Sequence, residues 1–232
     1  DYGVIAYAPS SPQEMYEYTR KAFNTAEQYR MPVLVMGDET IGHMRERVEI
    51  KEEDISIRER RRPTSEPQEY LPFQPEEDLV PQMASAGEGY RVHVTGLTHD
   101  ERGYPAINEE AQDKLVRRLV DKVEKNKSDI VEIEERMTED ANYLILSYGI
   151  SARTSMGALK KARAKGIKVG LVRLITVWPF PEERVKKLSQ NVKGIIVPEI
   201  NLGQIYREVQ LTAVSGTETK LVSHAGGGLH KP

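Results

Sequence analysis

The residues that decide the fold are the apolar run YLILSY at 143–148, the helical pattern TSMGALKKARAK at 154–165 and the apolar run KVGLVRL at 168–174. Two further runs, GIIVPE at 194–199 and KLVSH at 220–224, continue the series at intervals of about 25 residues. Helical patterns again separate these runs. Strands that alternate with helices at this spacing are typical of a parallel sheet covered by helices. We therefore predict an α/β domain in the C-terminal half of the chain.

The N-terminal part begins with the same strand–helix–strand order. VIAYAP at 4–9 predicts a short buried strand, and VLVM at 33–36 predicts a second one. Between them, Ser11 is a suitable N-cap, Pro12 suits the first helical position and Glu14 completes a capping box. A strand–helix–strand unit favours parallel pairing of its two strands. The helix is expected to bury the face formed by Met15, Thr19, Ala22, Phe23 and Ala26.

The segment between these two parts has a different character. Residues 48–90 are charged and rich in proline, and no helical or strand period persists over any length there. A flexible linker and an arm that grips a partner both fit this composition, although Tyr70, Leu71 and Phe73 favour contact with other residues. We place the parts of the chain at 1–47, 48–106 and 107–232.

Two local patterns lie near the second boundary. Val92 and Val94 alternate with polar neighbours, which suggests an edge strand. Asn108 is a good N-cap for the helical pattern EEAQDKLVRRLVDKVEKN that follows it. The apolar stripe of that helix is formed by Leu115, Leu119 and Val123, with Val116 and Val120 beside it.

Composition limits the classes of function. The 232 residues carry a net charge of −3 and have a pI of about 6.1, so a general nucleic-acid binder is not indicated. The sequence has no run of 18 apolar residues, and we expect no membrane span. The absence of cysteine excludes disulfides and thiolate-held iron–sulfur clusters on these residues and fits a cytoplasmic location. The abundance of Glu, Lys and Arg hints at a thermophile. Because the chain starts at Asp1 and runs at once into a strand, we expect a fragment.

Polar residues that follow the predicted strands form one group of candidates. Ligands and partners of parallel α/β sheets bind at the carboxyl ends of the strands. In the stretch EINLG, Asn201 can cap the next helix, Gly203 permits close backbone approach, and Glu199 can bond to a neighbouring loop. Structural capping is favoured over direct ligand contact. In YGIS at 148–151 a helix N-terminus could hold a phosphate, but a turn with a Ser or Thr cap is favoured.

A second group lies outside the strand ends. His99, Asp100 and Glu101 are possible metal ligands, but adjacent residues seldom converge on one ion, so a polar turn or interface loop is favoured. His43 is interpreted as interfacial or capping. Trp178 stands beside Pro179 and is either an anchor at a subunit contact or part of a buried loop corner. We find no nucleophile–base pair, no paired catalytic carboxylates, no metal-ligand spacing and no phosphate loop, and so name no catalytic residue.

Four segments taken together resemble one known family. They are APSSPQEMYEYTRKAFNTAEQYRMPVLVMGDETIGHMRERV at 8–48, GYRVHVTGLTHDERGYP at 89–105, ILSYGISARTSMGALKKARAKGIKVGLVRLITVWPFP at 145–181 and VPEINLGQIYREV at 197–209. In this order they are similar to the α subunit of 2-oxoacid:ferredoxin oxidoreductases, and most of all to the 2-oxoglutarate synthase type.

The resemblance implies a division of the chain. Residues 1–47 would be the C-terminal part of a domain that receives the pyrimidine of thiamine diphosphate, and residues 107–232 a parallel α/β domain like the C-terminal domain of transketolase. The residues that contact the aminopyrimidine and the 2-oxoacid would lie before Asp1, so the resemblance transfers no catalytic residue to this chain.

The resemblance also implies cofactors and partners. Thiamine diphosphate and Mg²⁺ would lie at the interface with a β subunit, iron–sulfur clusters on partner subunits, and CoA would be a co-substrate. Further partners would be γ and ferredoxin-like δ subunits and ferredoxin itself. Two alternatives stay open: a β-type subunit of a 2-oxoacid dehydrogenase complex, and an α/β domain used only for assembly.

Overall fold

The computed structural model describes residues 3–51 and 56–232. Its contacts divide the chain into two compact units. The first unit contains Asp1–Ile5, Arg20–Val33 and Lys51–Ile130, and the second contains Ala6–Thr19, Leu34–Ile50 and Val131–Pro232. The boundaries that we placed at residues 47 and 106 stay a prediction.

The regular elements alternate most evenly in the last ninety residues. The strands are β1 (Ile5–Tyr7), β2 (Val33–Val35), β3 (Ile133–Arg136), β4 (Tyr143–Tyr148), β5 (Val169–Leu174), β6 (Thr176–Trp178), β7 (Gly194–Glu199) and β8 (Glu218–Ser223). The helices are α1 (Pro12–Tyr29), α2 (Glu39–His43), α3 (Glu109–Glu124), α4 (Lys127–Ile130), α5 (Gly149–Ala164), α6 (Glu182–Ser189) and α7 (Gln204–Thr212). No helix in the described parts of the chain is long and apolar enough to cross a membrane.

A five-stranded sheet organises the second unit. Its order is β3-β5-β4-β7-β8, and the strands β5, β4, β7 and β8 pair in parallel. Only β3, at one edge, runs antiparallel to its neighbour. The predicted parallel α/β domain is confirmed. The antiparallel edge strand was not foreseen, because its sequence IEER has no apolar run.

Alternate residues of the central strands pack on opposite faces of this sheet. Leu144 and Leu146 join a core cluster that includes Val185 from α6 and Val209 from α7. Ile145 lies in a separate cluster on which α5 packs. Because side chains alternate along a strand, near-continuous apolar runs allow helices to cover both faces. This arrangement leaves the carboxyl ends of the strands and their loops as the place where polar residues collect.

A second, three-stranded sheet has the order β2-β1-β6. The predicted strands β1 and β2 are neighbours, and Met36 N donates to Tyr7 O at 2.8 Å. β6 pairs antiparallel with β1, with Ala6 opposite Trp178. The sequence predicts a subunit anchor or a loop corner at Trp178 and gives no sign of this strand.

Three sequence-based details are wrong or shifted. The buried residues of α1 are Ala22, Thr25 and Tyr29, whereas Phe23 is 72% exposed. The predicted face was too wide, because it included both Ala22 and Phe23. Successive residues of a helix are about 100° apart around its axis, so Phe23 points away from the face that buries Ala22. α5 begins at Gly149 rather than at residue 154. Val94 is 75% exposed and lies in no strand, because an alternating pattern forms a strand only where a partner is available.

The proline-rich segment of the first unit is packed despite its lack of regular structure. Tyr70 and Val80 are buried, and the Tyr70 hydroxyl donates to Gln82 O at 3.0 Å and accepts from Ala84 N at 3.1 Å. Arg30 donates to Gln82 O at 2.9 Å. The apolar cluster around Tyr70 therefore contacts other residues, as its composition predicts.

Candidate functional site

A buried carboxylate stands at the end of β7. Glu199 is 1% exposed, and its Oε2 accepts from the Tyr148 hydroxyl at 2.8 Å and from Ile205 N at 3.1 Å. Its Oε1 accepts from Tyr206 N at 2.7 Å. These two amides belong to the first turn of α7, where free N–H groups and the helix dipole favour negative charge. Glu199 thus fastens the helix to the strand that precedes it.

The turn between β7 and α7 completes this network. Asn201 Nδ2 donates to the Tyr148 hydroxyl at 2.8 Å, while Asn201 Oδ1 accepts from Gly203 N at 2.7 Å and from Gln204 N at 3.1 Å. Gly203 has φ +96°, and a Cβ there would lie 2.8 Å from Leu221 Cδ2. Glu199, Asn201 and Gly203 therefore shape the turn, and the capping interpretation fits their contacts.

The phenol of Tyr148 lies between the two side chains. Burial, the charge of Glu199 and the hydrogen bond to that carboxylate raise the pKa of Tyr148 well above its usual value. The neutral phenol donates to Glu199 and accepts from Asn201. The sequence predicts no role for the side chain of Tyr148. Its place at the end of a predicted strand is the one signal that points to it.

A second carboxylate caps α5. Asp38 Oδ2 accepts from Ile150 N at 2.9 Å, and Asp38 Oδ1 accepts from Ile41 N at 3.0 Å. Gly149 has φ +53°, and a Cβ there would lie 3.1 Å from Asp38 Oδ2. The expected Ser or Thr cap is wrong, because the cap comes from a residue 112 positions earlier. Such a distant partner leaves no local sequence signal.

An ion-pair network links β5 to α1 and β3. Arg173 is 9% exposed, pairs with Glu14 and lies 3.2 Å from Glu134. Burial acts to lower the pKa of Arg173, but the bond to Glu14 and the nearby charges hold it above its usual value. Glu14 Oε2 also accepts from Ser10 N at 2.8 Å and from Ser10 Oγ at 3.0 Å. The predicted capping box is thus displaced by one residue, since Ser11 Oγ accepts from Glu14 N at 3.2 Å while Glu14 bonds back to Ser10.

These contacts decide what the helix N-termini at the strand ends can bind. At the start of α5, Ile150 N bonds to the carboxylate of Asp38, and at the start of α7, Ile205 N and Tyr206 N bond to the carboxylate of Glu199. A phosphate placed there would replace a bond already made and would meet a like charge. Both termini therefore already hold a carboxylate, whose charge disfavours a phosphate-bearing ligand there.

Trp178 and His43 lie at the surface of the same unit. Trp178 ends β6 and is 39% exposed, whereas Phe180, two residues later, is 1% exposed. The peptide bond between Trp178 and Pro179 is cis. Phe180 forms the buried loop corner, and Trp178 presents an aromatic surface. His43 is exposed in the last turn of α2.

The loop that contains His99, Asp100 and Glu101 belongs to the first unit. Asp100 Oδ1 accepts from Arg102 N at 2.9 Å and from Tyr104 N at 3.0 Å, so its carboxylate organises a turn. Glu101 pairs with Lys114 on α3. The ring centroid of His99 lies 4.1 Å from that of Phe73. The three side chains point to different partners rather than to one point, which fits a polar turn.

Comparison with known proteins identifies the family. The family description "Pyruvate flavodoxin/ferredoxin oxidoreductase, thiamine diP-bdg" matches residues 1–118, and "Pyruvate:ferredoxin oxidoreductase core domain II" matches residues 141–232. The chain belongs to the 2-oxoacid:ferredoxin oxidoreductase family. The alignment of both regions in this order confirms the resemblance that the four sequence segments carry.

Individual relatives agree with this assignment. The chain is 51% identical over 233 residues to 2-oxoglutarate synthase subunit KorA of Methanocaldococcus jannaschii, covering 100% of this chain and 62% of the relative. It is 33% identical over 229 residues to ketoisovalerate oxidoreductase subunit VorB of Methanothermobacter marburgensis, covering 99% of this chain and 57% of that one. The chain thus spans about three fifths of the length of these relatives.

A solved structure shares the fold. The 2-oxoglutarate:ferredoxin oxidoreductase from Magnetococcus marinus, solved with 2-oxoglutarate, coenzyme A and succinyl-CoA bound, superposes with a TM-score of 0.87 at 22% identity. The superposition covers 99% of this chain and 40% of that chain. The fold class, a thiamine-binding-domain portion followed by core domain II, is confirmed.

Proposed function

We propose that this chain is part of the α subunit of a thiamine-diphosphate-dependent 2-oxoacid:ferredoxin oxidoreductase that acts on 2-oxoglutarate in the cytoplasm. The observation that carries the proposal is the 51% identity to a 2-oxoglutarate synthase subunit over the whole chain. The lower identity of 33% to a ketoisovalerate oxidoreductase subunit makes a branched 2-oxoacid the second candidate substrate.

The proposed reaction is a CoA-dependent oxidative decarboxylation. The bond between the carboxylate and the keto carbon of the 2-oxoacid breaks and CO₂ leaves. The acyl carbon is oxidised and forms a thioester with CoA, the thiol gives up its proton, and ferredoxin accepts the two electrons, which iron–sulfur clusters on partner subunits would carry. Thiamine diphosphate supplies the carbanion chemistry when it is bound, and the protein supplies position and charge.

The helix N-termini at the strand ends of the second unit do not fit the diphosphate of that cofactor. Asp38 and Glu199 occupy the helix N-termini at which phosphate groups bind in many α/β proteins. We therefore assign the diphosphate and its Mg²⁺ to a β subunit. The sequence has no cysteine, so we also assign the thiolate-held clusters to partner subunits, with γ and ferredoxin-like δ subunits as candidates.

In this proposal the second unit supplies a rigid surface for a partner subunit. Glu199, Asn201 and Gly203 fix the turn after β7, which leaves Leu202 75% exposed at its tip. Trp178 is the aromatic candidate for the same role, since aromatic residues are enriched at interface centres. Among the other candidates, His43 lies at the surface of the second unit. Asp100 organises the turn in the first unit that also carries His99 and Glu101.

The test is reconstitution of the complete enzyme. The full-length chain is combined with its β, γ and δ subunits, thiamine diphosphate, Mg²⁺ and CoA, and the reduction of ferredoxin is followed with 2-oxoglutarate, 2-oxoisovalerate and pyruvate. We expect kcat/KM to be highest with 2-oxoglutarate, by at least about tenfold.

Each other outcome contradicts part of the proposal. A preference for 2-oxoisovalerate would leave the reaction intact and make the substrate assignment wrong. Transfer of the acyl group to lipoamide instead of CoA would support the dehydrogenase alternative. Assembly of a complete complex that turns over none of the acids would support a role in assembly only.

A further inference from the structure

The first unit contains a cavity of about 520 Å³ beside α3. One wall is apolar and includes Phe73, Leu115 and Leu119. The volume lies within the range of small-molecule sites, which are mostly apolar with a few polar groups that fix orientation. The polar groups of this cavity decide what it could take.

Three basic side chains line the same cavity: Arg30, Arg118 and Lys122. Lys122 is 3% exposed, although lysine is almost never fully buried without a partner. Its Nζ donates to Arg30 O at 3.3 Å, which is a neutral acceptor. Within residues 3–51 and 56–232, no carboxylate forms an ion pair with any of the three.

The two arginines also have only neutral acceptors in the described residues. Arg30 donates to the carbonyl oxygens of Pro72 and Gln82 and lies 4.9 Å from the centre of the Phe73 ring. Arg118 has a single long contact, to Leu79 O at 3.5 Å. A guanidinium has five N–H donors, so most donors of Arg118 are left for another acceptor.

Two acids of a neighbouring cavity are paired with other basic residues. Arg118 and His99 also line a smaller cavity of about 210 Å³, whose acidic lining residues are Asp100, Glu101 and the exposed Glu110. Asp100 is paired with Arg102, and Glu101 is paired with Lys114. Positive charge therefore accumulates at the larger cavity without compensation from these carboxylates.

We propose that Arg30, Arg118 and Lys122 form a binding site for a small organic anion that carries phosphate or carboxylate groups. Guanidinium and ammonium groups form charge-assisted bonds to such oxyanions, and a planar guanidinium can bind two oxygens at once. The apolar wall at Leu115 and Leu119 would hold the carbon part of the ligand. Burial and the charges of Arg118 and Arg30 lower the pKa of Lys122 to about 8, which an anion in the cavity would reverse.

The test measures anion binding to the full-length subunit by isothermal titration calorimetry. The probes are inorganic pyrophosphate and succinate, and glycerol is the uncharged control. We expect one site that binds pyrophosphate or succinate and does not bind glycerol. Arg118→Gln should weaken the affinity at least about tenfold, since a charge-assisted bond pair is lost.

The same helix offers a matched control. Arg117 is exposed and pairs with Asp113, so Arg117→Gln should change the affinity less than about twofold. Lys122→Met is the second test variant, and Arg118→Lys keeps the positive charge. If Arg118→Gln does not fold, these two variants still test the site. Equal effects of Arg117→Gln and Arg118→Gln, or binding of neither probe to the folded wild-type subunit, would overturn the proposal. Binding that survives Arg118→Gln and Lys122→Met alike would place the anion elsewhere and overturn it too.

Discussion

The two units treat buried charge in opposite ways. At the end of β7, Glu199 is almost fully buried and accepts hydrogen bonds from Tyr148 and from two amides of α7. In the cavity beside α3, Lys122 is equally buried and has one neutral acceptor. Uncompensated buried charge lowers stability, and stability is commonly given up where function requires a destabilised site. The comparison therefore separates a structural region from a candidate binding site.

The largest expected effect tests the compensated charge. Glu199→Gln replaces one carboxylate oxygen by an NH₂ group, so either Ile205 N–H or Tyr206 N–H then faces a donor, and the negative charge at the helix N-terminus is lost. We expect the free energy of unfolding to fall by about 3 kcal/mol. Urea unfolding of the full-length chain, followed by circular dichroism, measures the change.

Glu208→Gln on the same helix is the control for that substitution. Glu208 is half-buried and makes no side-chain bond among the described residues, so its replacement should cost less than about 0.5 kcal/mol. If both substitutions cost the same, the network around Glu199 is not the structural cap that its distances indicate.

The second prediction tests the uncompensated charge. The pKa of Lys122 is about 8 in the folded chain against an ordinary value of 10.5, chiefly because of burial. Between these values the unfolded chain binds more protons, so this group makes stability rise with pH from about 8 to about 10.5. Lys122→Met should remove that rise and increase the free energy of unfolding at pH 7 by about 2 kcal/mol.

The measurement is urea unfolding at intervals from pH 7 to pH 10.5 in a buffer without polyvalent anions. Lys125→Met is the control, because Lys125 is exposed and its Nζ lies 3.7 Å from Asp121. That variant should keep the slope of the wild-type chain. A slope that persists in Lys122→Met, or a loss of stability at pH 7, would mean that the ammonium group is compensated in a way that its contacts do not reveal.

The difference between the units also explains what the sequence could predict. The strands and helices of the second unit follow from local spacing, and Asn108 and Asn201 were recognisable as caps because they precede a helical pattern. The cap that Asp38 gives to α5 and the ion pair between Glu14 and Arg173 join elements far apart in the chain, at separations of 112 and 159 residues. No period or motif encodes such pairs.

The basic cavity was invisible in the sequence for the same reason. Arg30 and Lys122 are 92 positions apart and meet only in the folded unit. Arg118 and Lys122 are one helical turn apart, but a basic pair on α3 resembles an ordinary solvated face. The strand β3 was missed for a different reason, since an edge strand needs few apolar residues.

The smallest expected effect asks how tightly the turn after β7 is packed. Gly203 and Gly216 have nearly the same backbone angle, with φ +96° and +97°. A Cβ at Gly203 would lie 2.8 Å from Leu221 Cδ2, whereas a Cβ at Gly216 meets nothing within 4 Å. Gly216→Ala should therefore cost about 1 kcal/mol for backbone strain alone, and Gly203→Ala about 1 kcal/mol more for the contact.

In the Leu221→Val background the excess cost at Gly203 should shrink, as a double-mutant cycle by urea unfolding would detect. Equal costs at the two glycines would mean that the turn yields to an added methyl group, and the rigid surface that we assign to this unit would lose its basis.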